Sequence, residues 1–110
     1  MTNKPERFTV ALLRDTGFLE AFEFAVCGDH VTAKKPDPAP FLRACERLGV
    51  RPAEALVIGD SANDVAGARA AGCPVWCVPY GYNEGRPSGS LECDRMVASL
   101  AAAADALARA

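Results

Sequence analysis

The chain has 110 residues, half of them hydrophobic, with 12 basic and 14 acidic side chains and a formal net charge of −2. That length allows at most one small domain, and that composition favours a packed core over disorder. The slight acidity gives no reason to expect nucleic acid or an anionic membrane as a partner, and no apolar run nears the ~20 residues of a membrane span. The N-terminal Met-Thr-Asn-Lys-Pro-Glu-Arg run has no apolar signal core, so the cytoplasm is the default compartment. Five cysteines, at positions 27, 45, 73, 77 and 93, form no C-x-x-C pair, and His30 is the one histidine beside them. Neither a zinc site nor a closed disulfide framework follows; buried, reduced thiols do.

In chain order, Pro5 suits the first turn of a helix that carries an imperfect apolar stripe of Phe8, Val10, Leu12 and Leu13 and ends at Gly17. Thr2 and Asn3 sit just outside that helix start, where a hydroxyl and free amides either bind phosphate oxygens or merely cap. The stretch from Phe18 to Glu23 reads as a connecting turn or short helix that packs two aromatics. Phe24-Ala-Val-Cys27 reads as a short strand ended by Gly28 and Asp29. Asp29 stands at a strand end, but no second carboxylate follows at metal-binding spacing. His30 reads as a solvated loop residue.

Lys35 precedes Pro36, which holds it extended in a stiff loop. Asp37 caps and Pro38 opens a helix with apolar positions Phe41, Leu42, Cys45 and Leu48, closed by Gly49. A lysine in a rigid loop serves either as a point charge on a transferring phosphate or as a plain solvated cation.

The segment from Ala55 to Gly72 organises the rest. The run Leu56–Gly59 reads as a buried parallel strand, Asp60 stands at its end, and Asp64 lies in the first turn of an alanine-rich helix closing on Gly72. Ligands in open α/β sheets bind where strands end and helices begin. Two carboxylates facing one crevice suit Mg²⁺, which takes one or two protein carboxylates plus water and phosphate oxygens. Capping and dipole matching explain the same two residues without a metal. Further on, Val75–Val78 reads as another buried strand, followed by a turn over Pro79–Asn83 and a surface loop over Gly85–Ser90. A final helix from Arg95 to Ala108 places Met96, Val97, Leu100, Ala104 and Leu107 on one face. The alternation of helix and strand predicts an α/β layer fold.

Three ordered motifs carry a resemblance. Thr2-Asn3-Lys4-Pro5, Lys35-Pro36-Asp37-Pro38 and Gly59-Asp60-Ser61-Ala62-Asn63-Asp64 resemble the second, third and fourth motifs of the haloacid-dehalogenase-like hydrolases. The nearest likeness is to their phosphoglycolate phosphatase group, through the Lys-Lys-Pro-Asp-Pro-Ala-Pro-Phe loop, the Ala-Arg-Ala-Ala-Gly helix end and the Tyr80-Gly81-Tyr82-Asn83 segment. The resemblance implies a Rossmannoid three-layer fold with a parallel sheet, and Mg²⁺-dependent hydrolysis of a small phosphorylated metabolite. It implies that the Thr2 hydroxyl and Asn3 amide hold the phosphoryl group and that Lys35 neutralises charge on the nucleophile and phosphorus. Asp60 would bind Mg²⁺ directly, Asp64 would support it through water or orient Lys35, and Ser61 and Asn63 would line the turn.

The family's nucleophile is the first aspartate of an Asp-x-Asp motif, and no two aspartates here are two positions apart. The resemblance therefore implies that residues 1–110 are a partial core domain, lacking the first-motif strand and the cap. Loss of central strands exposes backbone groups at ~1–3 kcal/mol each, against a domain stability of ~5–15 kcal/mol. Self-association through open sheet edges is the expected consequence, along with inactivity of the chain alone. A non-catalytic remnant that only binds cation or phosphate is the competing class. A receiver domain fits less well, because its acidic pair precedes its lysine.

Overall fold

Glycines and proline-flanked turns cut the chain into short elements, and the computed structural model describes residues 1–80 and 91–109. The predicted Gly85–Ser90 loop and most of the Tyr80–Asn83 segment lie outside the described residues. Helix α1 spans Glu6–Asp15, α2 Ala39–Leu48, α3 Ala62–Ala71 and α4 Leu100–Ala108; strands β1, β2 and β3 span Val57–Gly59, Val75–Cys77 and Arg95–Met96. Among the described residues the strands form one parallel sheet in the order β1-β2-β3, with Val57 opposite Val75 and Trp76 opposite Arg95.

Alternation along the strands builds a core on each face of the sheet. Val75 and Cys77 point to one side, where Phe41 and Cys45 of α2 meet Val65, Ala68 and Ala71 of α3. Trp76 and Val78 point to the other, with Ile58, Val97 and Ala103 of α4. Helices on both faces of a parallel sheet make the three-layer α/β arrangement. Phe41 is 1% exposed, and burial of a side chain of that size contributes about 1.5–3 kcal/mol. Its ring lies on Gly67, where any Cβ would overlap the ring edge, so the small residues of α3 admit α2 at short range. Gly49 and Gly72 close α2 and α3 with φ of 70° and 87°, the left-handed geometry that glycine adopts without steric cost.

Several expectations need correction. Phe24–Cys27 is extended but lies outside the sheet. Its backbone meets residues 2–4 instead, Thr2 N–H donating to Val26 C=O at 2.9 Å and Gly28 N–H to Lys4 C=O at 2.9 Å. Two isolated bonds do not make a ladder. The expected final helix starts five residues late, because Arg95–Met96 pairs with β2 and Ser99, whose Oγ accepts from Ala102 N–H at 3.0 Å, caps α4 at Leu100. Asp94 fixes that strand: it accepts from Val75 N–H at 2.8 Å and from Arg69 Nη1 at 2.8 Å.

The apolar stripes are also thinner than expected. Phe8 and Leu12 of α1, Leu42 and Leu48 of α2, and Leu100, Ala104 and Leu107 of α4 are exposed, as are Phe18 and Phe22 around the 3₁₀ turn at Leu19–Ala21. Helix α2 begins at Ala39, and Asp37 acts one residue outside Pro38, accepting from Ala39 N–H at 2.9 Å. His30 is exposed, as expected, but it is also tied into a 3₁₀ turn over Gly28–His30. Its Nδ1 accepts from Cys27 N–H at 3.1 Å and its Nε2 faces Glu6 at 3.1 Å.

The Phe41–Gly67 contact generates a stability prediction. Gly67→Ala should lower the urea midpoint by an amount equal to about 1–3 kcal/mol, the usual cost of overpacking, and Phe41→Leu in that background should recover part of it. An unchanged midpoint for Gly67→Ala would contradict the packing described.

Candidate functional site

The strand-end turn after β1 is built around the Asp64 carboxylate. Ser61, with φ −137° and ψ 164°, is the N-cap of α3, and Asp64 is the third helical residue. From there the Asp64 side chain folds back toward the strand. Its Oδ2 accepts from Asp60 N–H at 3.0 Å, Ser61 N–H at 3.3 Å and Ser61 Oγ at 3.2 Å. A Cβ at Gly59 would meet the Asp64 Cβ at 2.5 Å, so the bare α-carbon at the end of β1 is what lets the carboxylate tuck under the strand.

The other oxygen reaches across the molecule. Asp64 Oδ1 accepts from Lys35 Nζ at 2.8 Å, with the two side chains 11% and 17% exposed. Burial alone would raise the Asp64 pKa, but the bonds from Lys35 and the Asp60 amide outweigh it and hold the carboxyl below its ordinary 3.8. Asp60 stands one residue past β1, half-buried, with its side chain within hydrogen-bonding reach of Asp64 and close enough to act electrostatically on Cys77.

Asn3 holds the lysine loop from the opposite side. Its Oδ1 accepts from Lys35 N–H at 2.9 Å and its Nδ2 donates to Lys35 C=O at 3.4 Å. The structure thus joins Asn3, Lys35, Ser61 and Asp64 in one connected network beside Asp60. Thr2 precedes Asn3, but its Oγ1 accepts from Lys4 N–H at 3.2 Å in a local turn. Asn63 is half-buried on the first turn of α3. Sequence reasoning gave Asn3 only a backbone role; the signal for its side chain was its carboxamide, a group that can both accept from and donate to one peptide unit.

Asp60 and Asp64 offer hard oxygen donors, the chemistry that Mg²⁺ selects. Asp64 already receives an ammonium and three neutral donors, so both of its oxygens are engaged within the protein. Among the described residues no cluster of three or more His, Cys, Asp or Glu side chains forms a metal cage. Mg²⁺ needs none when waters and phosphate oxygens complete its octahedron. Burial, reinforced by Cys45, pushes the Cys73 thiol up to about 11; burial, reinforced by Cys93 and by the nearby Asp64 and Asp60 carboxylates, pushes Cys77 up to about 12.

The sign of the Asp64 shift fixes a pH dependence. A carboxyl depressed in the folded state adds stability that is present above its unfolded pKa and lost as pH falls through the folded value. Asp64→Asn should therefore destabilise the chain by roughly 1–3 kcal/mol at pH 7. The gap from the parent should shrink as pH drops below 3.8. Urea unfolding at pH 7 and pH 3 checks this, and an equal gap at both would contradict it.

Comparison with known proteins places the chain in a family. The sequence pattern of the haloacid dehalogenase-like hydrolases matches residues 1–72. A phosphoglycolate phosphatase of Thiobacillus denitrificans is 60% identical over 104 residues, which are 94% of this chain and 46% of that protein. An N-acetylmuramic acid 6-phosphate phosphatase of Pseudomonas aeruginosa is 45% identical over 74% of this chain and 36% of its own length. The crystal structure of a predicted phosphoglycolate phosphatase from Haemophilus somnus 129pt superposes with a TM-score of 0.89 at 33% identity, over 97% of this chain and 48% of that one. The chain thus spans less than half the length of these relatives. With the family pattern covering most of the chain and the fold shared, this protein belongs to the haloacid dehalogenase-like hydrolases.

Proposed function

We propose that residues 1–110 are a partial core domain that supplies the phosphate- and cation-binding side of a phosphatase acting on small phosphate monoesters of the phosphoglycolate kind. The observation that carries this reading is the 2.8 Å Lys35–Asp64 pair set against the end of β1. A fixed ammonium, a strand-end carboxylate and a helix start together present the charges that phosphoryl transfer requires, since that chemistry rests on positioning and electrostatics. The relatives named phosphoglycolate phosphatase support the substrate class, and the muramic acid phosphate phosphatase keeps larger sugar phosphates within it. Five unpaired cysteines suit a reducing cytoplasm.

In this reading Asp60 holds Mg²⁺, with Asp64 supporting it through water. When bound there, the metal supplies charge neutralisation for phosphoryl oxygens. Lys35 contributes its positive charge to the phosphate and to an attacking carboxylate, and Asp64 keeps that ammonium aimed. Thr2 donates its O–H to a phosphoryl oxygen while its Oγ1 still accepts from Lys4 N–H, Asn3 offers its N–H to another, and Ser61 and Asn63 line the turn. The attacking carboxylate would come from outside these 110 residues, because no Asp-x-Asp pair occurs among them. Alone, the chain binds and does not turn over. β1 and β3 each have one strand neighbour among the described residues, which supports self-association through an edge.

Two measurements test this. Mg²⁺ titration followed by amide NMR should shift Asp60, Ser61 and Asp64, and Asp60→Asn should abolish most of the response; a spectrum indifferent to Mg²⁺ would overturn the metal assignment. With Mg²⁺ present, the purified chain should hydrolyse neither phosphoglycolate nor an aryl phosphate. Turnover above that of Asp60→Asn would show that the chain carries its own nucleophile.

A further inference from the structure

Lys35 projects from a loop, and a point charge on a loop acts selectively only when the loop is held. The local turn holds it weakly: Asp37 N–H reaches Lys34 C=O at 3.0 Å, and Pro36 has no N–H to offer. Both main-chain groups of Lys35 are instead bonded by one side chain 32 positions away, the Asn3 carboxamide, at 2.9 Å and 3.4 Å.

Asn3 is itself rigidly seated. The residue before it donates N–H to Val26 C=O at 2.9 Å, and the residue after it accepts from Gly28 N–H at 2.9 Å. Gly28 packs so tightly there that a Cβ would overlap the Asn3 carbonyl. A side chain rooted between two such bonds has little freedom, so the peptide it grips inherits that rigidity.

We propose that Asn3 is a positioning residue for Lys35: its carboxamide clamps the Lys35 peptide so that the ammonium is aimed at Asp64 and the strand end. This is a role for the side chain, distinct from any contact its backbone amide makes with phosphate, and it rests on the phosphate-site reading above. The clamp is specific to asparagine. One end must accept and the other must donate, which a carboxylate or an alkyl group of the same size cannot do. With Nζ bonded to Asp64 and the peptide bonded to Asn3, Lys35 is fixed at both ends.

The test uses the 110-residue chain and inorganic phosphate in the presence of Mg²⁺, with hydrogen exchange read at the Lys35 amide. Asn3→Ala should speed Lys35 exchange about tenfold or more while core amides of β2 keep their protection, and should weaken phosphate binding about fivefold or more. Lys35→Ala should weaken binding at least as much, and adding Asn3→Ala to it should cost nothing further. Asn3→Asp, which keeps the acceptor and loses the donor, should fall between parent and Asn3→Ala in Lys35 amide exchange; that exchange carries the test if the alanine variant does not fold. Unchanged affinity in Asn3→Ala, or an equal loss with and without Lys35, overturns the positioning role alone. Undiminished phosphate binding by Lys35→Ala, or none by the parent, overturns the phosphate-site reading and this inference with it.

Discussion

The structure turns on a carboxylate that has to satisfy two sets of partners at once. Asp64 is almost fully buried, and a buried charge is tolerated only when it is paired and hydrogen-bonded. One oxygen takes the peptide N–H groups of Asp60 and Ser61 together with the Ser61 hydroxyl; the other takes the Lys35 ammonium. The first set fixes where β1 ends and α3 begins. The second ties that turn to a loop 29 residues earlier in the chain. In the sequence the alternatives for Asp64 were a metal site and a helix cap; in the fold one of its oxygens closes the capping box of α3 and the other pairs with Lys35.

Much of this was legible before folding was considered. The apolar run into Gly59, the placing of Asp64 in the first turn of α3 and the closing glycines of α2 and α3 are local signals, and local signals survive into the structure. Less legible were features that depend on neighbours. Phe24–Cys27 has the composition of a strand, but a strand needs an adjacent ladder, and its partners are two backbone groups of residues 2–4. The alanine-rich C-terminal stretch suggested helix back to Arg95, whereas Asp94 and pairing with β2 pull Arg95 and Met96 into the sheet. Ser99 was the overlooked cap. Asn3 was read for its amide because its side chain's partner lies far away in sequence.

The chain matches the haloacid dehalogenase-like hydrolases over residues 1–72 and shares the architecture of their solved members, while spanning under half the length of the relatives compared. What it carries is the charge-organising side of the site: an acidic strand end, an aimed lysine and the asparagine that grips the lysine's peptide. Groups that choose among phosphorylated metabolites, and the nucleophile itself, would belong to the rest of the protein in our reading. The exposed apolar residues of α1 and the following turn, Phe8, Leu12, Phe18 and Phe22, show how much surface these 110 residues leave uncovered.

The most direct measurement of the central interaction is a double-mutant cycle between Lys35 and Asp64, using Lys35→Met, Asp64→Asn and their combination in urea unfolding at pH 7. A part-buried pair at 2.8 Å that organises the turn should give a coupling energy of about 1–3 kcal/mol. Strictly additive losses would mean that the two side chains are neighbours without being partners, and the account of the site would fail with them.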